Sequence, residues 1–159
     1  MRDRRQIAAW SPNLPRLAVV VLLAKVESAS RNWEGVHVSK SVEGSCLCGA
    51  SGFQAIADVK FAIQCYCRDC QHISGGAKLP QIAVPSDGFV STGNAKVYDT
   101  TSDTGNTVRL TFCGDCGSPL HKSTSKMPDT IFICAGTLDE DLVSEPFQNV
   151  FDDCRRPWD

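Results

Sequence analysis

Short stretches of alternating hydrophobic and polar residues dominate the chain from Ser41 onward. Every odd position from Val59 to Cys65 is hydrophobic or cysteine, and every even position from Val108 to Phe112 is hydrophobic. Because successive side chains of a strand point to opposite faces of a sheet, each stretch predicts a strand with one buried face. The first strand would end by presenting Cys65, and the second would lead directly into Cys113.

Turn residues between these stretches predict a meander of hairpins. Thr92-Gly93-Asn94 separates Phe89-Val90 from Val97-Tyr98, and the segment from Ser102 to Asn106 separates that strand from the next. Leu138 to Ser144 is the one helix candidate, because its early acidic residues suit the helix dipole. The predicted fold class is all-β, with short antiparallel sheets and little helix.

The first forty residues differ from the rest. They contain no cysteine, five arginines and a single apolar run, from Leu17 to Ala24. That run is too short to span a bilayer and only loosely resembles a targeting peptide, so we expect no membrane partner. We predict a loosely ordered extension over residues 1–40 and one domain over residues 41–159.

Nine cysteines in a chain of 159 residues are more than packing requires. The count is odd, and pairs separated by one or two residues make poor disulfides but good zinc knuckles. This pattern favours metal binding in a reducing compartment, and hence the cytoplasm. Residues 41–159 carry nine Lys/Arg against fifteen Asp/Glu. No nucleic-acid partner is expected, because duplex binding depends on basic residues that neutralise phosphates.

Seven of the cysteines form three closely spaced motifs: Cys46-x-Cys48, Cys65-x-Cys67-x-x-Cys70 and Cys113-x-x-Cys116. Structural zinc sites usually take four ligands from two knuckles that are distant in the chain. The first and last motifs therefore predict a closed four-cysteine site. Gly49, Gly114 and Gly117 fit such knuckles, since glycine lets the backbone turn tightly around a metal.

The middle motif, Cys65, Cys67 and Cys70, supplies three thiolates and leaves a fourth zinc position open, as in catalytic sites. Two alternatives remain at this point. His72 or Asp69 closes the site as a fourth ligand, or the three thiols bind no metal and act as a redox group.

Four motifs together carry a family resemblance: Gly44-Ser45-Cys46-Leu47-Cys48-Gly49, Cys65-Tyr66-Cys67-Arg68-Asp69-Cys70 with Ser74-Gly75, Phe112-Cys113-Gly114-Asp115-Cys116-Gly117, and Gly136-Thr137-Leu138-Asp139. From Ser41 to Trp158 the chain resembles the glutathione-dependent formaldehyde-activating enzyme (GFA) family, which also includes centromere protein V. The resemblance implies a tent-like arrangement of sheets and two zinc ions per chain. It places a structural zinc on Cys46, Cys48, Cys113 and Cys116, and a catalytic zinc on Cys65, Cys67 and Cys70.

The resemblance also implies carbon–sulfur lyase chemistry on a thiol adduct, such as S-hydroxymethylglutathione formed from glutathione and formaldehyde. Arg68 and Lys78 are candidate partners for the carboxylates of glutathione, and His72 is the nearby candidate for substrate contact or proton transfer. Two alternative functions stay open: a non-catalytic zinc-stabilised binding module, and a thiol protein for redox chemistry or metal buffering. Cys134, in an apolar run, is expected to pack in the core.

Overall fold

The computed structural model describes residues 40–143 and 147–159; the predicted extension, apart from Lys40, lies outside them. The strands are β1 (Lys40–Ser45), β2 (Ser51–Ala57), β3 (Phe61–Cys65), β4 (Leu79–Pro85), β5 (Val90–Gly93), β6 (Ala95–Thr101), β7 (Thr107–Cys113), β8 (Pro119–Thr124), β9 (Met127–Cys134) and β10 (Gln148–Val150). One α-helix, α1 (Arg68–Ser74), and two 3-10 turns, Ala135–Thr137 and Asp152–Cys154, complete them. The all-β prediction is confirmed.

The strands form two sheets. The smaller sheet has the order β1-β2-β5, and the larger has the order β10-β3-β4-β9-β8-β7-β6. Neighbouring strands are antiparallel except for β10 and β3, which run parallel. No helix within the described ranges is long and apolar enough to cross a membrane.

The main core joins the smaller sheet to one face of the larger one. Val42 and Phe53 from the smaller sheet belong to the same buried cluster as Ile82, Val84 and Ile133 from the larger. Alternate residues of the same strands point to the opposite face of the larger sheet. That opposite face contains a second buried cluster, made of Cys65, Cys70, Leu79 and Cys134.

Two predictions about local structure were wrong. Thr92-Gly93-Asn94 does not close a hairpin, because β5 pairs with β2 while β6 pairs with β7 in the other sheet. The chain leaves one sheet for the other at Gly93, which has a φ of 77°. By contrast, the predicted turn from Ser102 to Asn106 does join two antiparallel strands, β6 and β7.

The predicted helix from Leu138 is absent from the described residues 138–143. Leu138 instead forms a β-bridge with Gly44, and the Asp139 amide donates to the Glu43 carbonyl at 3.1 Å. Pairing with the β1 strand thus replaces the helical hydrogen bonds. The helix that does form, α1, follows the middle cysteine motif and ends at Gly75, which has a φ of 66°. A left-handed glycine of this kind is a common helix terminator.

Candidate metal centres

The sulfur atoms of seven cysteines lie in two groups. In each group the sulfurs all lie within 4.8 Å of one another: Cys46, Cys48, Cys113 and Cys116 in one, and Cys65, Cys67 and Cys70 in the other. All nine cysteines are free thiols. We call the two groups the four-cysteine centre and the three-cysteine centre.

Two similar knuckles build the four-cysteine centre. In the first, the Cys46 amide donates to the Ser51 carbonyl at 2.9 Å, and in the second the Cys113 amide donates to the Ser118 carbonyl at 2.9 Å. Gly49 and Gly117 each directly follow the second cysteine of their knuckle, with φ of 78° and 75°, a left-handed conformation that favours glycine. The two turns differ in length by one residue, because the Gly49 amide donates to the carbonyl three residues earlier and the Gly117 amide to the carbonyl four residues earlier.

Backbone amides and one hydroxyl surround the sulfurs of this centre. The Ser51 amide donates to Cys46 Sγ at 3.3 Å, and the Asp115 amide donates to Cys113 Sγ at 3.4 Å. Hydrogen bonding by the Ser118 side chain lowers the pKa of Cys116 to about 5. These groups stabilise negative charge on sulfur, which is what binding a metal through four thiolates requires.

Two elements, strand β3 and helix α1, position the three-cysteine centre. Cys65 is the last residue of β3, Cys67 caps the N-terminus of α1, and Cys70 lies within that helix. Cys65 and Cys70 are buried, while Cys67 is half-buried. The Sγ atoms of Cys65 and Cys67 are 3.4 Å apart. Hydrogen bonds from the other two thiols, Cys65 first, lower the pKa of Cys67.

No histidine, aspartate or glutamate within the described ranges joins either group. His72 has its Nε2 atom 3.3 Å from an Arg68 Nη2 atom, and no Asp69 carboxylate oxygen lies within 4.8 Å of all three sulfurs. The alternative in which His72 or Asp69 closes the three-cysteine centre thus finds no support in the geometry. The centre offers three sulfurs and one open side.

A mostly apolar cavity of about 450 Å³ adjoins that open side. All three cysteines line it, together with Ile73 of α1 and Val150 of β10. Tyr98 and Phe151, both more than half exposed, also line it, from opposite edges of the larger sheet. The concave face of the sheet thus forms a site of the size that binds small organic molecules.

Arg68 and Lys78 have other partners in this structure, and neither lines the cavity. Arg68 donates from Nη1 to Gln71 Oε1 at 2.6 Å, and Arg156 donates to the same oxygen at 2.8 Å. Lys78 contacts Asp159 at 3.4 Å and lies 5.4 Å from the centre of the Tyr66 ring. His72 does line the cavity. All three stay predicted substrate-binding residues.

Sequence reasoning missed two residues beside the three-cysteine centre, Lys122 and Gln81. Lys122 Nζ lies 3.3 Å from Cys70 Sγ, and the fully buried Gln81 Nε2 lies 3.9 Å from the same sulfur. Gln81 is 11 positions after Cys70, on the next strand, and Lys122 is 52 positions after it. No local motif identifies either contact, and that of Lys122 depends on the register of the larger sheet.

Both centres fit zinc by their own geometry. A tetrahedral zinc with bonds to sulfur of about 2.3 Å separates its ligand sulfurs by about 3.8 Å. The measured separations are 3.5 Å between Cys46 and Cys48 and 3.8 Å between Cys48 and Cys113. The separation of 3.4 Å in the three-cysteine centre is close to the same value. Thiolate sulfur is also a ligand type that zinc prefers.

Fold and site together define an all-β protein with two cysteine centres suited to metal. The sequence matches the family described as glutathione-dependent formaldehyde-activating enzyme over residues 41–153, and the chain belongs to that family. A crystal structure of a Rhodobacter sphaeroides protein shares the fold, with a TM-score of 0.53 and 16% sequence identity, over 68% of this chain and 99% of that one. A search of curated proteins found no significant match.

Proposed function

We propose that this protein is a zinc-dependent carbon–sulfur lyase that forms or breaks the hemithioacetal between a small thiol, such as glutathione, and an aldehyde, such as formaldehyde. In the forward direction the thiol sulfur bonds to the aldehyde carbon, and the thiol proton ends on the former carbonyl oxygen. One observation carries the proposal: three sulfurs with an open side lie on the wall of a cavity of about 450 Å³. Family membership supports the thiol and aldehyde as substrates.

Each cysteine group has a distinct proposed role. Cys46, Cys48, Cys113 and Cys116 would hold a structural zinc, and Cys65, Cys67 and Cys70 would hold a catalytic zinc as ligands rather than nucleophiles. Zinc held by three thiolates supplies a Lewis acid that favours the ionised form of a nearby thiol or hydroxyl. All three cysteines line the cavity and Cys67 is the least buried of them, which supports an open side that faces the cavity.

The apolar part of the cavity wall would bind the substrate. Its apolar surface suits the carbon skeleton of a thiol adduct, and its volume exceeds what a two-heavy-atom aldehyde needs, which leaves room for the thiol partner. His72 is the one imidazole on this wall, and it is held by Arg68. We assign proton transfer to His72 or to solvent, and carboxylate binding to Arg68.

The test is an exchange measurement by NMR with zinc-loaded protein, glutathione and carbon-13 formaldehyde. The wild type should accelerate exchange between formaldehyde and S-hydroxymethylglutathione above the uncatalysed rate. Cys67→Ser should remove the acceleration. Cys154→Ser is the matched control, because this half-exposed cysteine lies outside both centres. A wild type that gives only the background rate would contradict the proposal.

The same samples discriminate the alternatives. A non-catalytic zinc module would keep two zinc ions and show no acceleration. A redox or metal-buffering protein would release zinc on mild oxidation of the three-cysteine centre, where the half-buried Cys67 is the most accessible of the three sulfurs.

A further inference from the structure

Lys122 places a cation in the wall of the cavity, in contact with the three-cysteine centre. Its Nζ atom lies 3.3 Å from Cys70 Sγ and 5.8 Å from the centre of the Phe132 ring. The residue is half-buried. A partly desolvated ammonium group of this kind is costly unless negative charge compensates it.

The described part of the chain provides no carboxylate partner for Lys122. Three other cations have one: Lys78 contacts Asp159, Arg109 contacts Asp99 and Arg155 contacts Asp152. The group that Lys122 contacts is therefore the sulfur of Cys70, which would be a thiolate as a metal ligand. The positive charge of Lys122 is thus next to the position that the three thiolates would occupy with a metal bound.

The register of the sheet fixes Lys122 in that position. Leu110, Lys122 and Phe132 are directly opposite one another on the neighbouring strands β7, β8 and β9, and all three line the cavity. Gln81 supports the arrangement from β4 through its contact of 3.9 Å with Cys70. Cys70 thus faces two N–H donors, one of them charged, from two separate strands.

We propose that Lys122 is the charge-balancing residue of the three-cysteine centre and makes that centre accept an anionic ligand. A divalent metal with three thiolates has a net charge of about −1, and binding an anionic ligand makes the net charge about −2. A cation next to one of the sulfurs offsets the added charge, and a partly buried cavity screens this attraction less than water does. The inference deepens the proposed function, since a thiolate substrate is one such anion.

The experiment measures anion binding instead of turnover. The full-length protein, loaded with cobalt(II), is titrated with azide and with 2-mercaptoethanol, and binding is followed by the visible absorption of the metal. We compare wild type, Lys122→Met, Lys122→Arg and Lys126→Met. Lys126 is the matched control, because it lines the same cavity without a contact to Cys70.

Lys122→Met should lower the affinity for both ligands by about 10-fold. Lys122→Arg should keep the affinity within about 3-fold of wild type, because it keeps the charge. Lys126→Met should bind as wild type does. The inference is overturned if Lys122→Met binds both anions normally, if Lys122→Arg is as weak as Lys122→Met, or if the wild type binds neither anion. Lys122→Gln replaces Lys122→Met should the latter fail to fold.

The two proposals can fail separately. If the exchange assay shows no lyase activity while azide binding still depends on Lys122, the charge-balancing role stands and the proposed function is wrong. If lyase activity is present and the affinity for anions does not change when Lys122 is substituted, the proposed function stands and this inference is wrong.

Discussion

The backbone amide of Leu47 donates a hydrogen bond of 3.2 Å to the Oγ atom of Ser118, which joins the two knuckles of the four-cysteine centre. These residues are 71 positions apart in the chain, so the contact links the start of the domain to its later strands. A metal at this centre would strengthen the same link. Binding at such sites contributes on the order of 10 kcal/mol to folding, about as much as the whole stability of a typical domain.

Cys113→Ser should therefore prevent stable folding. Cys113 is fully buried and is one of the four sulfurs, so the substitution removes a ligand and disturbs the core together. Circular dichroism and thermal unfolding should show a largely unfolded chain, and elemental analysis should show the loss of both metals.

Cys67→Ser is the comparison, because the three-cysteine centre closes only a short local loop. We expect a folded protein that holds one zinc ion where the wild type holds two. Equal loss of structure in both variants would show that the two centres do not differ in structural role.

Gly93→Ala should destabilise the domain more than Gly105→Ala. Both glycines are left-handed, with φ of 77° and 81°, so each substitution has the cost of placing a side chain in that conformation, about 1–2 kcal/mol. A Cβ atom at Gly93 would also overlap the carbonyl oxygen of Ala50, whereas one at Gly105 meets no atom within 4 Å. Urea unfolding should show an additional loss of at least about 1 kcal/mol for Gly93→Ala. Equal losses of stability in the two variants would show that the overlap with the Ala50 carbonyl adds no cost at Gly93.

His121 should make the stability of the domain depend on pH. Burial lowers the pKa of its imidazole to about 4, below the usual value of 6.5. The native state therefore binds fewer protons than the unfolded state between these values, and stability falls as the pH is lowered through this window. The full effect is at most about 3 kcal/mol.

The measurement compares urea unfolding at pH 7 and pH 5 for wild type, His121→Gln and His72→Gln. Acid also displaces metal from thiolates in every variant, so the informative quantity is the difference between variants. His121→Gln should reduce the loss of stability at pH 5, while the exposed His72 should have little effect. A loss of the same size in His121→Gln would assign the pH dependence to other groups.

Arg68→Ala should reduce the preference of the protein for glutathione over 2-mercaptoethanol. Arg68 and Arg156 converge on one oxygen of the buried Gln71, and neither has a carboxylate partner among residues 40–143 and 147–159. A carboxylate of glutathione would supply one. Since a charge-assisted hydrogen bond contributes about 1.5–3 kcal/mol, calorimetry should show the ratio of the two affinities fall about 10-fold or more.

Arg109→Ala is the control for this experiment, because the Arg109 guanidinium already has a carboxylate partner, Asp99, at 2.8 Å. It should leave the ratio unchanged. If Arg68→Ala lowers the affinity for both thiols equally, Arg68 supports the helix and does not recognise the carboxylate.

The cysteine spacing was enough to predict both sulfur groups, because each knuckle is a local turn whose residues are adjacent in the chain. The hairpin between β6 and β7 was predictable for the same reason. The change of sheet at Gly93 was not, since the pairing of β5 with β2 depends on residues some forty positions earlier. The contact between Lys122 and Cys70 was not predictable either, because the two residues are 52 positions apart and meet only through the pairing of the strands. Contacts between residues that are close in the chain can be predicted from the sequence, whereas contacts between neighbouring strands require the register of the sheet.

Tyr98, Leu110, Lys122 and Phe132 form a row across β6, β7, β8 and β9, one residue from each strand, and all four line the cavity. None of them belongs to either group of sulfurs. Lys122 is the one member of the row that contacts a sulfur of the three-cysteine centre. In evolutionary terms, and under the proposed function, a lineage could alter Tyr98, Leu110 or Phe132 and acquire a different thiol or aldehyde, while Lys122 and the inherited cysteine framework remain intact.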